Sequence, residues 1–164
     1  MLSQKQLYSL NNILRQNLIN KGVSCTLLID MAGNILVSLD DGRIHSDNYS
    51  LACLAAGNFG AVKAMANIIG EGDFSLLFNK GKNLNIHYKT IASEYLLINI
   101  FNKDISLGFL RLKVTETAKK IKDILPIPLK EEIPSIDFNL SNNLWLSDKI
   151  PPVLDLKTKP RFIP

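Results

Sequence analysis

Apolar residues recur with two different rhythms along the chain, and the changes of rhythm mark its elements. Leu7, Leu10, Ile13, Leu14 and Leu18 follow one another at three- and four-residue intervals, which predicts a helix with one apolar face. Gly22 is its expected stop, because glycine accepts the left-handed backbone that follows a last helical turn. The period then drops to two: Val23, Cys25, Leu27 and Ile29 alternate with Ser24, Thr26 and Leu28. MAGN supplies a turn and ILVSL a returning strand, so this stretch predicts a hairpin with Asp30 leading into its turn.

Residues 46–70 carry the longest helical pattern, with Ser46 or Asp47 placed to cap it and Gly70 to end it. Its apolar positions do not form a single stripe. Leu51, Leu54, Phe59, Val62, Met65 and Ile69 are interspersed with alanines and with Gly57 and Gly60. A helix apolar nearly all round must be covered on more than one side, and one subunit cannot supply all of that cover. Three strands follow, at 74–79, Leu84–Ile91 and Tyr95–Asn102, and read as an antiparallel meander. A last helix is expected from near Ser106, with Leu110, Val114, Ala118, Ile121 and Leu125 facing the core and Pro126 closing it. The order helix, hairpin, helix, three strands, helix predicts an α+β fold. It is a three-layer α/β/α sandwich with a five-stranded antiparallel sheet, one long helix on one face and the two terminal helices on the other.

Proline usage divides the chain. All seven prolines lie at or beyond Pro126. Proline removes a backbone donor and interrupts helices and inner strands, so residues 1–125 are expected to form one regular domain and 126–164 an extension. The extension holds Phe138, Leu140, Leu144 and Trp145, the chain's one tryptophan. Disordered linkers are poor in such residues. Phe138, Leu144 and Trp145 are therefore candidate docking residues, either on the domain itself or on a partner.

Charge and chemistry narrow the function. The 164 residues are 46% hydrophobic with a net charge of +4, too mild to argue for nucleic acid. No run of about 18 apolar residues predicts membrane insertion. Basic residues do cluster, at Arg111, Lys113, Lys119, Lys120 and Lys122, and form either an ordinary solvated face or a surface that meets an acidic protein. Cys25 and Cys53 lack C-x-x-C spacing and read as small buried hydrophobes, which suits the cytoplasm. A GxxxxGK[ST] phosphate loop is missing, and the glycines of GNFG fall inside a helix, so no nucleotide site is expected. His45 and His87 have no neighbours at metal-ligand spacing, and no metal or cofactor is expected. A Cys–His nucleophile requires a cysteine to meet a histidine in space. The Asp40–Asp41 and Glu131–Glu132 pairs are expected in solvent. Arg43 is either a catalytic finger delivered to a partner or a solvated companion of Asp40 and Asp41. No catalytic set emerges, and the chain does not read as an enzyme.

Four segments carry a family resemblance: SCTLLIDMAGNIL, LACLAAGNFGAVKAMANIIGEGDFS, YLLINIFN and SLGFLRLKVTETAKKI. In order and spacing, over residues 3–125, they are similar to the Roadblock (dynein light chain) superfamily. The alanine-rich run, AGN and IGEGDF look most like its bacterial MglB-like branch. The resemblance implies a profilin-like fold and a homodimer whose central helices lie side by side and whose third strands pair across the two-fold axis. On that reading Gly57, Gly60, Ala61, Ala64, Met65, Phe74 and Leu76 form the dimer or partner interface. It also implies binding to a small Ras-like GTPase of the MglA type, with hydrolysis stimulated by ordering the GTPase's own catalytic residues. Two other readings stand beside it. One is a platform of the same fold that tethers proteins without changing GTP turnover. The other is a sensor with a small-molecule cavity lined by converging polar groups.

Overall fold

Helix α1 (Gln4–Asn17) starts where Ser3 and Gln6 satisfy each other's backbone. The Gln6 amide donates to Ser3 Oγ at 3.3 Å and the Ser3 amide donates to Gln6 Oε1 at 2.9 Å. The same Gln6 side chain donates from Nε2 to the Ile124 carbonyl at 2.9 Å, tying the start of the domain to its end. The computed structural model describes residues 2–44, 46–71 and 77–126. His45, Phe74 and Leu76, and the extension residues Phe138, Leu144 and Trp145, lie outside the described residues.

After α1 comes a short 3-10 turn (Ile19–Lys21), so Gly22, at φ 99°, closes that turn rather than the helix itself. Strands β1 (Cys25–Asp30) and β2 (Ile35–Asp40) form the expected hairpin. Helix α2 (Asn48–Ile68) is capped by Asp47, whose carboxylate accepts from the Tyr49 and Ser50 amides, and Gly70 at φ 79° follows its end. Strands β3 (Leu77–Lys80), β4 (Leu84–Ile91) and β5 (Tyr95–Asn102) and helix α3 (Leu107–Lys122), capped by Ser106, complete the order. The sheet runs β2-β1-β5-β4-β3, antiparallel throughout. This is the expected five-stranded α/β/α sandwich.

Two cores lie on opposite faces of the sheet. On one, α1 and α3 bury Leu10, Leu14, Val114 and Ile121 against Leu28, Val37, Leu97 and Phe101. On the other, α2 lays Ala52, Ala55 and Phe59 on Cys25, Leu27, Ile29, Leu96 and Ile98. All five positions expected to turn α3 inward, Leu110, Val114, Ala118, Ile121 and Leu125, are buried. The alternation in β1 does not mark a wet face, because helices cover both sides: Thr26 and Leu28 are as buried as Cys25 and Leu27.

The hairpin turn is what brings α2 close. Asp30 Oδ1 accepts from the Ala32 and Asn34 amides at 2.9 Å, and Oδ2 from Asn34 Nδ2 at 2.8 Å. Partial burial pushes this carboxyl up, yet the Asn34 side chain and the turn amides outweigh it and hold it below the usual range. Gly33 sits at φ 90°, and a Cβ there would lie 3.1 Å from Cys53 Cα. Only glycine fits both the backbone angle and the approach of helix to turn.

Beneath α3 runs a buried polar row, Thr26–Asn99–His87, in paired register across three strands. Thr26 Oγ1 donates to Asn99 Oδ1 at 2.9 Å, while Asn99 Nδ2 and His87 Nδ1 have no partner among the described residues. His87 is therefore a buried group with one ring nitrogen left unpartnered among the described residues. Burial, then the Arg111 and Lys89 cations, lower its pKa to about 4.

Two measurements follow from this architecture. Gly33→Ala should destabilise the domain by about 1–3 kcal/mol in urea titration, through strain at positive φ and contact with α2. His87 binds its proton more readily unfolded, near 6.5, than folded, near 4. Its contribution to stability is thus complete above about pH 6.5 and is lost as the pH falls toward 4, by roughly 3 kcal/mol. Asp30, and Asp47 with its Ser50 hydrogen bonds, are held below the usual carboxylate range and act only further down. Melting temperatures across pH 4–7 should fall for the native protein and flatten for His87→Gln.

Candidate functional site

Twenty-one residues of α2 contain one charge, Lys63. Ala52, Ala55 and Phe59 bind the helix to the sheet, Ala66 is buried as well, and Lys63 lies near that side when the turn is followed at 3.6 residues. The opposite face then runs Cys53, Leu54, Gly57, Gly60, Ala61, Ala64, Met65 and Ile68. These eight residues, all uncharged and exposed, follow the three- and four-residue spacing of one helix side. Leu54 is 72% exposed and Ile68 84%. A Cβ built on Gly57 or on Gly60 meets nothing within 4 Å, so the space above them is open.

The face combines large apolar groups at its ends with a flat, side-chain-poor middle. Gly57, Gly60, Ala61 and Ala64 keep nothing bulky between the helix backbone and a neighbour. A second helix can therefore approach closely there, while Leu54, Met65 and Ile68 supply the area buried on contact. Each large side chain that is covered contributes about 1.5–3 kcal/mol. By length and composition α2 could also cross a bilayer. Its Ala52, Ala55 and Phe59 already lie buried on the sheet, however, and a spanning position would open that layer.

Five of the seven interface residues expected from the sequence thus come together on one surface: Gly57, Gly60, Ala61, Ala64 and Met65. Phe74 and Leu76 lie outside the described residues. Cys53 belongs to the same exposed face, which corrects its reading as a buried hydrophobe. Nothing in a cysteine's own neighbours distinguishes the two sides of an apolar helix, and the Gly33 approach is what fixes which side is up.

The remaining candidates separate. Cys25 is buried, and desolvation followed by the Asp40 and Asp41 charges raises its thiol to about 11, the wrong direction for a nucleophile. It faces α2, whereas His87 lies beneath α3, so the sheet separates them. Arg43 pairs with Asp41 at 3.2 Å; Asp41 is the half-hidden partner and not the solvated group expected. No group of three or more potential metal ligands exists among the described residues.

Comparison with known structures bears on this geometry. The chain resembles the gliding protein MglB from Thermus thermophilus, with a TM-score of 0.69 and 22% identity over 76% of this chain and 93% of that one. Myxococcus xanthus MglB matches with a TM-score of 0.66 and 26% identity, over 76% and 92%. A Roadblock/LC7 domain from Streptomyces avermitilis matches with a TM-score of 0.59 and 12% identity, over 75% and 97%. No family model matches the sequence, and no curated protein matches it.

Proposed function

The chain has the Roadblock fold in its MglB-like form, and from that premise we propose that it is a homodimeric, non-enzymatic regulator of a small Ras-like GTPase of the MglA type. The observation that carries the reading is the uncharged, exposed face of α2. Two copies laid side by side through Gly57, Gly60, Ala61 and Ala64 bury that face and leave a continuous composite surface on which a GTPase can dock. The same packing would put each copy's β3 at the seam, where its unpaired edge can be covered. The resemblance of the hairpin, central helix, fifth strand and last helix to the family supports the GTPase as partner. Two free cysteines suit a reducing compartment, and we place the protein in the cytoplasm.

No described side chain is poised for group transfer, so regulation acts through the partner's own residues. Arg43 is 68% exposed but held by Asp41, and a finger would have to leave that ion pair. Acceleration of hydrolysis is the form of regulation this reading adopts, with modulated exchange or simple tethering as the outcomes that would replace it.

The test is single-turnover GTP hydrolysis by an MglA-type GTPase with and without the full chain. Turnover should rise by about tenfold or more, and Ala61→Arg, which puts an unpaired charge into the close contact, should abolish the rise. Because Ala61 is exposed within one copy, the variant should keep its fold by circular dichroism. Binding of the GTPase with unchanged turnover would instead establish a tethering platform.

A further inference from the structure

On the sheet face opposite α2, the layer formed by α1 and α3 is apolar over β2, β1 and β5 except for Thr26 and Asn99. Over β4 and β3 it is largely polar. Alternation along β4 turns Asn85, His87, Lys89 and Ile91 toward α3, and β3 adds Phe78 and Lys80, opposite His87 and Asn85. Two separate cavities flank α3 over these strands, one toward each end of β4, and between them His87 is buried beneath the helix. The larger, about 550 Å³, is walled by Phe78, Phe101, Ile105 and Leu107, with Lys80, Lys103 and Asn85 at its polar side. The smaller, about 200 Å³, lies among Lys89, Thr90, Thr115, Lys119 and Lys122. Between them, Arg111 and Lys89 are near enough to His87 to depress its protonation.

Six cations therefore lie in or between the two cavities: Lys80, Lys103, Arg111, Lys89, Lys119 and Lys122. Among the described residues, neither cavity has an aspartate or glutamate in its wall. The ion pairs among those residues are Arg43–Asp41 and Lys113–Glu116, so none of the six is paired there. Glu116 owes its lowered proton affinity chiefly to Lys113 and feels Lys119 only at the end of that series. Asn85, 7% exposed, lines the larger cavity, and its Oδ1 has no hydrogen-bond partner among the described residues. A buried amide left unpartnered at the edge of an unfilled cavity is a group waiting for a ligand's polar atom.

We propose that these two cavities and the cations between them form the docking site for an extended acidic segment of a partner protein, which crosses the surface from one cavity to the other. Its carboxylates pair with the six cations along α3 and β4, and one apolar side chain seats in the cavity at Phe78 and Phe101. β4 contributes eight residues at about 3.3 Å each, so a segment that reaches both cavities needs roughly seven or eight residues of extended chain. A polypeptide fits better than a polynucleotide. Phe78 and Phe101 pack on each other at 6.1 Å and 32°, with Phe101 buried and Phe78 half-buried, so they offer an apolar hole instead of an open ring face for a base to stack on. The site lies on the sheet face opposite α2.

Fluorescence anisotropy of the full chain with a labelled Asp/Glu peptide of about eight residues and one central Leu tests this. The peptide should bind about tenfold or more tightly than its Asn/Gln counterpart, and replacing its Leu by Ser should weaken it several-fold. The double variant Lys119→Glu/Lys122→Glu and, at the other end, Lys80→Glu should each cut affinity by about tenfold while melting as the native protein does, since all three residues are exposed. Equal binding of an oligothymidylate of matching length would overturn the polypeptide assignment. Indifference to the Leu, or to both sets of charge reversals, would overturn the site.

Discussion

The contact on which the rest of the structure depends is the one between the hairpin turn and the middle of α2. Gly33, at positive φ and with Cys53 Cα pressed against it, lets the helix settle onto the sheet through Ala52 and Ala55. The Asp30 carboxylate holds that turn in shape by accepting from Ala32 and Asn34. Small residues on the sheet side bring the helix in, and its rotation about its own axis is then decided. Phe59 and Ala66 go under, and Leu54, Gly57, Ala61, Ala64 and Ile68 face out. A larger residue at position 33 would lift the helix and change which side is presented.

That explains what could and could not be read from the residues alone. The terminal helices were legible because their apolar positions form one stripe, and Leu110, Val114, Ala118, Ile121 and Leu125 all reach the core. The interface stripe was legible as a set of small residues, but its direction was not, because α2 is apolar nearly all round and no periodicity says which side meets the sheet. Cys53 was misread for that reason. The burial of His87 was not legible for another reason: a polar residue alternating with apolar ones on a strand looks solvated, yet here helices cover both sheet faces. The buried pairing of Thr26 with Asn99, and the unpartnered His87 beside it, are visible only once three strands are in register. Phe74, Leu76 and the extension residues Phe138, Leu144 and Trp145 keep the roles the sequence suggests as expectations.

The two sheet faces divide the labour. The α2 face is uncharged and flat, the character of a surface completed by a like surface, where close backbone approach matters more than electrostatics. The α3 side is cationic and grooved, the character of a surface that selects a charged partner and speeds its encounter.

In the proposed dimer α2's outer face is buried against a second copy of the chain. Sedimentation equilibrium of the full chain at micromolar concentrations should then show a species of twice the chain's mass that shifts toward the monomer when Gly57 is replaced by Arg. A native chain that sediments as a monomer up to near-millimolar concentration, or a Gly57→Arg variant that assembles as the native protein does, would contradict it.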